Sequence, residues 1–148
     1  MEKTVTISVK AKQEFGDGPA DSMELVTQGV LQKDNDIFIL SYQESEVTGL
    51  EGTLTTFHVE PERVTLMRIG EYNSQMVFEE GRRHMSMYNT PYGALSVGVN
   101  TRHLLCDLDE QGGSIEIDYN LELEHAIVGR NVFQIKVKEA REGGSLKQ

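Results

Sequence analysis

The chain has 148 residues, 14 Lys+Arg against 24 Asp+Glu, and a formal net charge of −10 at pH 7. That length fits one domain able to bury roughly two-thirds of its unfolded surface, so neither a metal nor a disulfide is needed to hold it. The acidic balance speaks against nucleic acid, which is gripped through Lys and Arg. The single cysteine, Cys106, excludes an internal disulfide and a four-cysteine zinc site.

Reading along the chain, Val5, Ile7, Val9 and Ala11 alternate with Thr4, Thr6, Ser8 and Lys10. Successive strand side chains point to opposite faces, so this is a strand and not an apolar leader. Residues 14–22 form a Gly/Pro/Asp-rich loop. Segments 23–32, 37–43, 53–59, 63–69, 72–79 and 82–88 are rich in Val, Ile, Thr, Phe and Met and read as strands. Leu95, Val97 and Val99 alternate, and 101–108 is a strand or a helical turn. In 114–125, Ile115, Ile117, Tyr119, Leu121, Leu123 and His125 share one face, opposite Ser114, Glu116, Asp118, Asn120, Glu122 and Glu124. Phe133, Ile135 and Val137 mark a last strand, and 139–148 is a polar tail.

Turn residues separate these segments: Lys33 to Asp36, Glu60-Pro61-Glu62, Gly70-Glu71, Glu80-Gly81, Gln111-Gly112-Gly113 and Gly129-Arg130-Asn131. Many strands joined by short turns predict an all-β antiparallel meander. Curling removes its edges, which gives a single closed or nearly closed barrel of about eight to ten strands spanning residues 1–148. No apolar run approaches the ~20 residues of a membrane helix, and no membrane contact is expected. A lone thiol fits a cytoplasmic location.

If Glu80-Gly81 is a two-residue turn, Glu79 faces Arg82 and Phe78 faces Arg83. Met76, Phe78, Met85 and Met87 then lie on the core face with the stem of Arg83, while Val77, His84, Ser86 and Tyr88 lie on the other. A slip of one residue exchanges these faces.

The stretch Arg68-Ile69-Gly70, Met76 to Gly81, Tyr88-Asn89-Thr90-Pro91-Tyr92-Gly93 and Leu95 to Thr101, followed by Gly112-Gly113 and Ile117 to Leu121, resembles the YwiB-like family, domain of unknown function 1934. These are small bacterial proteins, chiefly from Firmicutes. The resemblance implies a lipocalin-like (calycin) barrel, in agreement with the strand pattern, and implies no activity.

Among chemistry-bearing residues, no His pair has metal-ligand spacing, and no cofactor motif is present: neither a metal nor a cofactor is expected. Cys106 sits among leucines and acids, the setting of a small apolar filler rather than a nucleophile. Arg82-Arg83-His84 is the densest cationic spot, either a solvated face balanced by Glu79 and Glu80 or a contact for an anion. Tyr88, Thr90 and Tyr92, near a bend at Pro91 and Gly93, form with Arg68 the strongest candidate site. Their plainer role is a corner where hydroxyls satisfy backbone groups. Arg68 shares a strand face with Val64 and Leu66, so it points inward. There it either pairs with a buried carboxylate or grips a ligand's carboxylate or phosphate.

Two functions therefore stand out. One is noncatalytic binding of a small apolar or anionic ligand, with Arg68, Arg82, His84, Tyr88, Thr90 and Tyr92 as its residues. The other is a side-chain-filled barrel that meets a protein partner or forms a homodimer. An enzyme is least favoured.

Overall fold

A computed structural model describes residues 2–14, 18, 20–45, 50–70, 73–90, 93–123 and 126–140, with the side chains of 87–90 and 94 outside the description. Ten antiparallel strands follow one another: β1 (Glu2–Glu14), β2 (Asp21–Asp34), β3 (Ile37–Gln43), β4 (Thr53–Val59), β5 (Val64–Gly70), β6 (Ser74–Phe78), β7 (Arg83–Thr90), β8 (Gly93–Asp109), β9 (Gly112–Leu123) and β10 (Ala126–Glu139). Each pairs with its neighbours in sequence. β1 closes the ring against β10, from Val5↔Glu139 to Glu14↔Arg130. The expected meander barrel is the fold, and no helix occurs among the described residues.

Local chemistry sets the corners. Between Asp34 and Ile37, Asn35 takes φ 58°, a conformation Asn tolerates. Gly113, the second residue of β9, has φ 138°, and an added Cβ there would stand 1.9 Å from the Asp107 carbonyl oxygen. Only glycine lets β8 and β9 approach that closely.

Some boundaries differ from expectation. Glu14, Asp21 and Ser22 belong to β1 and β2 rather than to the loop between them. β10 runs through Glu139, which pairs with Lys3, and the Ala140 amide donates to the Thr4 carbonyl. Residues 141–148 lie outside the described part. The two segments around residues 95 and 105 are one 17-residue strand, β8. Its register shifts between Thr101 and His103, so Arg102 and His103 both face out before Leu104 turns back in. That bulge hides the alternation that would otherwise reveal a strand.

The hairpin of β6 and β7 corrects the expected register. The turn itself is as predicted: the Arg82 amide donates to the Glu79 carbonyl at 3.0 Å. By Ser74↔Tyr88, however, the pairing has slipped one residue. Met76 and Phe78 remain buried, but on β7 Ser86 is buried and Met85 is 55% exposed. Arg83 faces out with Met85. It lies over Gly98, which leaves room for it, and ion-pairs with Glu122 at 2.8 Å. A period of two makes the exchange of faces complete once one residue is added.

Inside, the barrel is packed by Ile7, Leu31, Leu40, Leu66, Phe78 and Ile115, each at most 1% exposed. The Phe78 ring packs on Tyr119 with centroids 4.9 Å apart, and Tyr119 reaches Phe133 at 6.0 Å. Val9, Tyr42 and Phe57 belong to the same buried core.

Candidate functional site

Where the packing ends, a cavity of about 300 Å³ opens. Its wall is largely apolar, with Val9 from β1, Met23 from β2, Phe57 from β4, Tyr119 from β9 and Phe133 from β10. The alternation places them there. Val9 continues the inward phase of Val5 and Ile7, and Phe133 that of Ile135 and Val137.

Polar groups interrupt this wall: Gln13, Asp21 and Ser22, and a buried cluster around Glu44. Glu44 follows β3 in the inward phase of Leu40 and Tyr42, and its side chain is 1% exposed. The strand-like extension is held by its amide, which donates to the Thr53 carbonyl at 2.9 Å. Thr55 on β4 donates its hydroxyl to Glu44 Oε2. The Tyr42 phenol is pushed well above its ordinary range, first by burial and then by the neighbouring Glu44 carboxylate, to which it is hydrogen-bonded. Arg68 on β5 sits directly across from Thr55. Its Nε is 3.9 Å from Glu44 Oε2, close enough for ionic attraction and too far for a hydrogen bond. That Nε is shielded from water and has no acceptor among the described residues. A buried charged donor without an acceptor is costly, so it marks a place where an acceptor would be welcome.

The other predicted site residues lie elsewhere or beyond description. Arg82 and His84 gather on Glu79, at 3.8 Å and 2.8 Å. Arg68 and Ser74 pair at one end of the β5–β6 hairpin, whereas Glu79 follows the opposite end, where Val64 meets Phe78. The structure therefore does not bring Arg82 and His84 to Arg68. The Tyr88 backbone pairs with Ser74, two strands from Arg68 in one cross-strand row, and Thr90 pairs with Gly93. The side chains of Tyr88 and Thr90, and Tyr92 altogether, fall outside the described residues.

Glu44, Tyr42 and Thr55 were not singled out from the sequence. The signal was the strand phase: extending Leu40 and Tyr42 by two residues lands on Glu44, a buried carboxylate of the kind that was one of the two partners expected for an inward Arg68. Cys106 packs against the core from β8, and burial pushes its thiol up to about 11. It is a poor nucleophile, as its leucine setting suggested.

These features define a class: a ten-stranded meander barrel with a packed core and a cavity beside it that carries both apolar and polar side chains. The family model of domain of unknown function 1934 matches residues 7–135, and the chain belongs to that family. It is 28% identical over 122 residues to the uncharacterized beta-barrel protein YwiB of Bacillus subtilis (strain 168), covering 82% of this chain and 83% of the relative. The crystal structure of that ywiB protein is similar with a TM-score of 0.83 at 26% identity, covering 95% of this chain and 94% of the other.

Proposed function

We propose that this chain is a noncatalytic binder of a small, largely apolar ligand that occupies the barrel cavity. The observation that carries the reading is Arg68 Nε, a buried donor with no described acceptor, in the wall of a hollow that is apolar at Val9, Met23, Phe57 and Phe133 and polar at Gln13, Asp21, Ser22 and Glu44. Cavities of this size commonly hold small molecules, the apolar wall supplying affinity and a few polar groups fixing orientation. In this reading Arg68 is the anchor, and Tyr88, Thr90 and Tyr92 are kept as proposed partners from the sequence. Arg82 and His84 belong to a separate, carboxylate-balanced surface. The proposal includes a bacterial, cytoplasmic protein that uses its barrel in the lipocalin-like manner, in keeping with its lone thiol and acidic charge.

Native mass spectrometry of freshly purified protein, set against its denatured mass, tests this reading. A discrete excess that vanishes on denaturation is the expected result. A bare protein that also fails to take up any apolar probe refutes it.

A second reading, a barrel that meets a protein partner or a second copy of itself, draws on the outer face of β4, β5 and β7. There Leu54, Ile69 and Met85 are 37%, 57% and 55% exposed. Light scattering that gives a monomer at all concentrations would count against the homodimer form of it.

A further inference from the structure

The charges around the cavity point to the ligand's head group. Arg68 is the one cation among the described lining residues, and Glu44 and Asp21 are the carboxylates. Glu44 already accepts from Thr55 and Tyr42, and it touches Arg68 through no hydrogen bond. It attracts the guanidinium and leaves Nε without an acceptor among the described residues. Guanidinium donors form a rigid planar fork, and the group that matches two of them at once is a pair of oxygens on one atom.

Charge separates the two such groups. A carboxylate adds one negative charge beside a cation. A phosphate monoester brings up to two, against the fixed charges of Glu44 and Asp21 and an overall −10. Volume limits the body. At roughly 30 Å³ per water-sized group, 300 Å³ holds about ten non-hydrogen atoms. Three belong to the carboxylate and about seven remain for an apolar tail against Phe57, Tyr119 and Phe133.

Resting on the cavity reading above, we propose that the ligand is a monocarboxylate with an apolar body of about seven carbons. Its oxygens engage the Arg68 fork, and Glu44 is a positioning residue that holds the guanidinium from the other side.

The test compares octanoate, octan-1-ol and octyl phosphate by calorimetric titration and by NMR shifts of the Phe57, Tyr119 and Phe133 rings. It uses the full-length wild-type protein and the variants Arg68→Met and Arg68→Lys. Octanoate should bind the wild type at least about ten-fold more tightly than either of the others. Arg68→Lys, which keeps the charge and loses the fork, should weaken octanoate about ten-fold and leave octanol unchanged; it serves alone if Arg68→Met does not fold. Octanol or octyl phosphate equalling octanoate in the wild type, or octanoate binding Arg68→Lys undiminished, overturns the head-group assignment while leaving the cavity reading intact. No ring shift with any of the three overturns the cavity reading itself, and the proposal with it.

Discussion

Replacing Arg68 by Met removes the cation that faces Glu44, a side chain only 1% exposed. At 3.9 Å and an effective dielectric of about 20, the pair attracts by about 4 kcal/mol. Much of this offsets the cost of taking both charges out of water, so the intact pair adds little net stability. The singles behave differently. Arg68→Met leaves a carboxylate that water cannot reach and should cost about 3–4 kcal/mol. Glu44→Gln leaves an arginine that is 19% exposed and opens on the cavity, where water can solvate it. It should cost about 1–2 kcal/mol, part of it from the altered bonds to Thr55 and Tyr42. The double variant Arg68→Met/Glu44→Gln should be more stable than Arg68→Met alone, with a coupling energy of at least about 2 kcal/mol. Urea unfolding of the four proteins, read as a two-state transition, measures this. Costs that add to within about 0.5 kcal/mol would refute the coupling, and Glu44→Gln costing more than Arg68→Met would refute the asymmetry between the two charges.

Three other outcomes are expected. Arg130 holds Asp118 through bonds of 3.0 and 2.7 Å, and these hydrogen bonds lower the carboxyl's pKa. A depressed carboxyl stabilises the fold above its unfolded value of about 3.9 and loses that contribution as pH falls through the folded value, so Arg130→Ala should cost about 1 kcal/mol at pH 7 and progressively less below pH ~4. A urea midpoint difference that stays constant down to pH 2.5 would contradict this. Gly113→Ala should destabilise by about 3 kcal/mol, because it joins a positive φ to a Cβ only 1.9 Å from a carbonyl oxygen; a near-neutral melting shift would show that β8 and β9 can separate there. Cys106, with its thiol raised to about 11, should be alkylated at pH 8 roughly 100-fold or more slowly than a free cysteine, and a rate matching free cysteine would mean the thiol is not buried.

The fold was legible because burial in a barrel wall has the same period as a strand. β3 and β4 fall on the expected 37–43 and 53–59, and the face of Ile115, Ile117 and Tyr119 is buried as the alternation demands. Legibility failed where one residue was added. The Thr101/His103 bulge made half of β8 look like a helical turn, and the slip before Ser74↔Tyr88 moved Met85 outside and Ser86 inside. Most of the turn residues mark where the chain reverses, but Gly129-Arg130-Asn131, expected as a turn, lies inside β10 beside a register shift. Turn residues carry no record of a bulge several residues away, because a bulge is selected by the closure of the whole barrel.

The site was half legible for a related reason. Arg68 announced itself because a charge in an apolar phase conflicts with its surroundings, and such conflicts need a partner. Its partner did not stand out. Glu44 lies beyond the last apolar residue of β3, where an acid reads as the start of a loop. Arg82 and His84 attracted notice as a dense run of charge, yet density along the chain says nothing about depth, and they meet Glu79 near the surface. The useful rule is therefore phase before density. A polar residue that continues the inward phase of a strand deserves more weight than a polar cluster in a turn. Applied to β3 and β4, that rule selects Glu44, Thr53 and Thr55, and all three are buried polar groups.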